Sequence, residues 1–216
     1  MRPSIPAAAL ALALSAPLAT VAAAEGVTVS GGFTITSEYM SNGLRQSDGP
    51  AFQPWVEAEI NGFYAGIWAS NTDLALTGGR YEVDLYAGYR NEIGAFSYDF
   101  GYARYYYRNP SSNCCGEVYL NLGVAVTDRI GVGTELYYDP SAEIYNISAL
   151  GDYAATDRIG LSAELGRVER SHNYWSVGAS YGLTDSMSVD LAWHDSNIDK
   201  GRLVLSLSMD FALFPR

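Results

Sequence analysis

The chain is short of positive charge. It holds one lysine, Lys200, and 13 Lys and Arg stand against 24 Asp and Glu. That balance excludes a nucleic-acid binder, which needs a basic face to neutralise phosphates. Cysteine is scarce, and the only two are adjacent, Cys114-Cys115. No framework of spaced disulfides can staple the fold. The pair reads as two loop thiols or a stiffening vicinal disulfide, with a redox- or metal-responsive loop as the functional alternative. The two histidines, His172 and His194, are too few and too far apart in sequence to suggest a metal site. No nucleophile motif such as G-x-S-x-G occurs, so an enzyme is not expected. Beyond Glu25 no apolar run approaches the ~20 residues of a membrane-spanning helix.

What is present begins with a leader. Arg2 is followed by a small and apolar run, Ala7–Ala24, and Ala22-Ala23-Ala24 fits an A-x-A cleavage site before Glu25. This reads as a secretory signal peptide over 1–24, leaving one domain over 25–216. Arg2 is the only charge removed, so the mature chain carries 12 basic against 24 acidic residues.

That domain is apolar and aromatic, with 17 tyrosines, and alternation dominates it. Leu203, Leu205, Leu207, Met209, Phe211 and Leu213 are apolar, while Val204, Ser206, Ser208, Asp210 and Ala212 between them are mostly small or polar. Successive strand residues point to opposite faces, so one face is continuously apolar. Twelve such strands are predicted: 27–40, 51–60, 63–70, 80–91, 96–107, 117–126, 129–138, 143–155, 158–168, 173–183, 186–195 and 201–214. The pentapeptide "TDRIG" occurs at Thr127–Gly131 and Thr156–Gly160, and "TDSMS" at Thr184–Ser188. The spacing suits two long strands plus two turns. Short turns, Asn61-Gly62 among them, alternate with longer connections such as Ser41–Pro50.

An even number of long strands, with short turns on one rim and longer loops on the other, is the layout of a transmembrane barrel. A soluble β-sandwich would show similar alternation. It is disfavoured by strands of about 10 residues where globular strands run about 5–6, by a glycine-rich polar face, and by aromatics that sort towards the two rims. Tyr105–Tyr107, Tyr137, Tyr138, Tyr174, Trp175 and Trp193 are assigned to the outer belt. The expected fold is therefore all-β, a twelve-stranded antiparallel up-and-down barrel in the outer membrane. The bilayer is its main partner, and the barrel-assembly machinery its partner during biogenesis, with Phe214 as the closing aromatic.

The stretch "GLRQSDGPAFQPWVEAEINGFYAGIWASNTD", Gly43–Asp73, resembles an exported bacterial family known as TorF-type porins, the gcw_chp type. The similarity is carried by Gly43 and Gln46, then by Gly62, Phe63, Tyr64, Ala65, Gly66, Trp68, Ala69, Ser70, Asn71 and Asp73. The family pattern places an arginine where this chain has Asn42, and a serine where it has Arg45. The resemblance implies an outer-membrane pore.

Glu57, Glu59, Glu82, Asp84, Asp99, Glu117, Glu135, Glu164, Asp190 and Asp210 fall on the polar faces. They are read as lining a lumen. Arg90, Arg129 and Arg158 lie towards the short-turn rim; Arg104 and Arg167 are weaker candidates for the same faces. Carboxylate-lined pores favour cations. The expectation is a narrow, cation-preferring passage for small solutes, without a cofactor. The alternatives are an occluded structural or binding barrel, and third an outer-membrane hydrolase using His194.

Overall fold

The computed structural model describes residues 26–108 and 112–214, with the backbone alone at 112–114. The expected leader, the side chain of Cys114 and Pro215-Arg216 lie outside the described residues.

Twelve strands close a barrel. They are β1 (Thr28–Thr36), β4 (Ala51–Ile60), β5 (Phe63–Asn71), β6 (Tyr81–Ile93), β7 (Phe96–Arg108), β8 (Ser112–Ala125), β9 (Ile130–Asp139), β10 (Ile144–Ala154), β11 (Ile159–Val168), β12 (His172–Thr184), β13 (Met187–Ser196) and β14 (Arg202–Phe214). Two short strands, β2 (Met40–Ser41) and β3 (Leu44–Arg45), form a separate hairpin in the first long connection, and α1 (Leu74–Thr77) is a single turn in the second. Each long strand pairs antiparallel with its neighbours in sequence. Closure comes from β1 against β14, with Phe33 opposite Met209. Closure satisfies every strand edge within the sheet.

The repeated Thr-Asp has a physical reason. The Thr127 hydroxyl accepts from the Arg129 and Ile130 amides at 3.2 and 3.0 Å. Thr156 repeats this with Arg158 and Ile159 at the same distances. The looser copy does so with one amide, Ser186 to Thr184 at 3.3 Å. Threonine thus supplies the turn acceptor that the backbone lacks. At Asn61-Gly62 both residues have positive φ, 51° and 83°, as a two-residue hairpin turn requires.

Two expectations are corrected. The first strand ends at Thr36, not residue 40, because the chain leaves the wall to build the β2–β3 hairpin. β8 begins at Ser112, five residues before the expected start.

The outside is apolar. Phe52, Val56, Ile67, Leu85, Leu120, Val132, Ile147, Leu161, Leu191 and Leu205 are all well exposed. The buried set is largely polar, with Glu82, Asp84, Glu117, Asn121, Glu135 and Ser148 among it. This inverts the arrangement of a water-soluble core. The sheet therefore carries its apolar face outward around the whole barrel.

Candidate functional site

The interior has two unlike walls. From β5 to β9 it is packed. Tyr64, Tyr105, Tyr107, Tyr119 and Tyr137 are buried and form one cluster with Ala103 and Cys115. Cys115 is disulfide-bonded. Three of these tyrosine hydroxyls are bound to acids. Tyr107 donates to Glu82 Oε1 at 2.8 Å and Tyr105 to Glu117 Oε2 at 2.7 Å. Tyr64 donates to Asp99. Its single proton is then used, so Tyr119 must donate to it across 2.5 Å. Lower down, Arg90 donates to Glu57, lies 3.4 Å from Glu59 Oε2, and stacks on the Tyr64 ring at 3.9 Å. This guanidinium holds two carboxylates and an aromatic face together. Replacing Arg90 with Leu leaves both acids without it and is expected to cost about 1–3 kcal/mol in a urea-unfolding measurement.

From β11 round to β14 and β1 the inner face is instead open and small. Glu164, Ser176, Gly178, Ser180, Ser188, Asp190, Ala192, His194, Ser206, Ser208 and Thr34 are partly accessible there. The small hydroxyls bond one another or a nearby acid: Thr34 with Ser208 at 2.9 Å, Ser188 to Asp190 at 3.1 Å, Ser176 to Glu164 at 3.4 Å.

The acidic positions thus divide. Glu82, Asp84, Glu117 and Glu135 are buried, whereas Glu57, Glu59, Asp99, Glu164 and Asp190 are half-buried and Asp210 is exposed. Of the basic positions, Arg90 lies within the network, while Arg129 and Arg158 are exposed in their turns. Arg104 and Arg167 share the outward face with Tyr106 and Leu165, on the opposite side from the carboxylates. The outer aromatic belt is likewise corrected. Tyr105, Tyr107, Tyr137 and Tyr174 point inward and are buried, so of that group only Tyr106, Tyr138, Trp175 and Trp193 face out.

Across the outer end lies a feature that alternation cannot reveal. The segment from Glu38 to Asp48 folds inward rather than out into solvent. Tyr39, Met40, Ser41, Gln46 and Ser47 are buried. On one side the Tyr39 ring packs edge-on against Trp68 at 5.5 Å. On the other, the tip meets β10 and β12. The Asn42 carbonyl bonds His172 Nε2 at 2.8 Å, and the Asn42 side chain accepts from Asn146 Nδ2 at 3.2 Å. Asn42 and Gly43 both have positive φ, 49° and 71°. A Cβ on Gly43 would stand 2.6 Å from both the Asp195 carbonyl and Tyr174 Cβ. His172, expected in an outer loop, is the first residue of β12 and anchors this tip. The base is held too. Gln46 N donates to Tyr39 O and Asp73 N to Gln46 O, each at 2.8 Å, while Arg45 pairs with Asp48 at 2.6 Å.

Several of the motif residues converge on this hairpin. Gly43 forms its tip and Gln46 its base. Trp68 supports Tyr39. The Asn71 side chain holds Pro50 O at 3.0 Å and the Phe52 amide at 2.7 Å. Asp73 caps α1 through the Ala75 amide at 2.8 Å. Gly66 leaves room for the Tyr86 ring, which a Cβ would meet at 2.4 Å. Ser70 lies buried with Gln53 at 3.4 Å. Gly62 makes the turn, and Tyr64 enters the Asp99 network. Phe63, Ala65 and Ala69 take the alternate positions, facing out, with Phe63 against the Tyr89 ring at 4.7 Å.

A closed twelve-stranded barrel with an apolar exterior and a polar interior is the architecture of the porin class. The solved structures similar to this chain agree. A KdgM porin aligns with a TM-score of 0.65 at 15% identity, over 84% of this chain and 99% of that one. A KdgM porin in complex with disordered oligogalacturonate gives 0.61 at 13%, over 85% and 99%. A NanC porin gives 0.51 at 11%, over 88% and 100%. At those identities the likeness is one of fold. The chain belongs to the bacterial family Gcw_chp, described as proteins of unknown function, whose family model matches residues 20–211. No curated protein sequence matches the chain.

Proposed function

We propose that this protein is an outer-membrane channel for passive diffusion of small solutes, preferring cations, with the β2–β3 hairpin setting its narrowest section. The observation that carries this reading is the pairing of an outward apolar face with an inner wall that stays partly open along β11–β14 and β1. The solutes move along that open wall, whose accessible charges are mainly carboxylate: Glu164, Asp190 and Asp210. The packed tyrosine wall ties Glu82, Asp99 and Glu117 to hydroxyls and leaves the transport to the opposite side. Barrel assembly and delivery across the inner membrane by a cleaved leader belong to the same reading.

The test is the reversal potential across a planar bilayer under a salt gradient. The expected sign is cation-selective. Replacing Glu164, Asp190 and Asp210 together by Gln, Asn and Asn should move it towards zero. An unchanged potential in the triple variant would remove these residues from the conduction path. The packed wall and the crossing hairpin favour a second reading, an occluded barrel that serves a structural or binding role. Electrical silence of well-inserted protein would select it.

A further inference from the structure

The charges of β6–β8 are sorted by face. Their buried carboxylates Glu82, Asp84 and Glu117 all point inward. In the half nearest the long loops, the charged side chains pointing outward are Arg104 and Arg108, and exposed Arg80 stands just before β6. Arg80 and Arg108 are held in register, because the Arg80 amide donates to the Arg108 carbonyl at 2.8 Å and Tyr81 stands opposite Arg108. Arg104 and Arg108 flank the Tyr106 ring at 5.9 and 5.6 Å from its centroid. Exposed Tyr81 and Tyr102 frame the same area. No ion pair engages Arg80 or Arg104 among the described residues.

A chain with nearly twice as many acids as bases thus presents an acid-free, arginine-and-tyrosine area on its outward face at one rim. Tyrosine at that height belongs to the membrane interface. Guanidinium groups there meet headgroups, and their planar fork matches a phosphate oxygen pair. Both forks lie within 5.9 Å of the Tyr106 ring centroid, which suits a headgroup carrying more than one phosphate.

We propose that the outward face of β6 and β7 at the long-loop rim is a docking site for a lipid headgroup carrying more than one phosphate, held by Arg80, Arg104 and Arg108. This rests on the membrane reading above. It is separable from it, because conductance reports insertion while lipid retention reports the site.

The experiment is native mass spectrometry of the folded barrel in detergent, titrated with lipid A, with its dephosphorylated form, and with inorganic phosphate as competitor. The wild type is expected to retain lipid A roughly tenfold or more better than the dephosphorylated lipid. The triple variant R80A/R104A/R108A should lose that preference, and R129A/R158A, in the short turns, should keep it. Should the triple variant fail to insert, Arg104→Glu decides by the same comparison. Equal retention of both lipids by the wild type, an unchanged preference in R80A/R104A/R108A or Arg104→Glu, or displacement of lipid A by equimolar inorganic phosphate would overturn the proposal.

Discussion

Replacing Glu38–Asp48 with a short Gly-Ser linker is expected to raise the single-channel conductance at least about twofold, since the narrowest section governs conduction. The hairpin reaches from Trp68 on β5 to His172 on β12, so its removal clears the outer end of the bore. Point variants should approach the same result by loosening the tip. Gly43→Val places a branched side chain at φ 71°, where any Cβ also meets the Asp195 carbonyl and Tyr174 Cβ. His172→Ala removes the bond to the Asn42 carbonyl, leaving Asn146 to hold the tip. The expected signature is larger or noisier conductance while the barrel remains folded. An unchanged conductance in the linker variant would show that the hairpin does not limit passage.

The second large effect concerns the apolar exterior. Leu191 lies near the middle of β13 and is 46% exposed. Leu191→Arg is expected to destabilise the barrel in lipid by about 2–4 kcal/mol, the cost of arginine facing the bilayer midplane. Its neighbour Ala192 points the other way, opposite Gly178. Ala192→Arg should cost far less in unfolding measurements but narrow the open wall and lower the conductance. Equal stability losses from the two substitutions would contradict the facing assigned to β13.

Much of this was legible in the sequence. Alternation located the twelve strands and their facing, because side chains of a long strand with different media on its two sides must repeat every second residue. The exposed Leu203 and Leu205 of β14 follow that rule. Tyr105, Tyr107, Tyr137 and Tyr174 did not follow the belt assigned to them. Tyrosine is apolar along its ring and polar at its hydroxyl, so it suits a lipid interface and a carboxylate-lined interior equally. The signal that places Tyr105 and Tyr107 inside is parity with Asp99 and Gly101 on the same strand. The hairpin was missed for another reason. Asn42-Gly43 is itself a hairpin dipeptide, but strands of two residues carry no periodicity, and their inward course depends on His172 and Asn146, distant in sequence. The motif stretch marked the right region without revealing that Gly43, Gln46, Trp68, Asn71 and Asp73 gather around one inward fold.

The four tryptophans report which face of the barrel meets hydrocarbon, because both faces carry them. Trp175 and Trp193 point outward, while Trp55 and Trp68 share the inner face with Glu57 and Tyr64. The most direct measurement is fluorescence of single-tryptophan variants in vesicles containing brominated lipid. Strong quenching of Trp175 and Trp193 with little effect on Trp55 and Trp68 is the result the account predicts. Comparable quenching at all four positions, or at none, would contradict it.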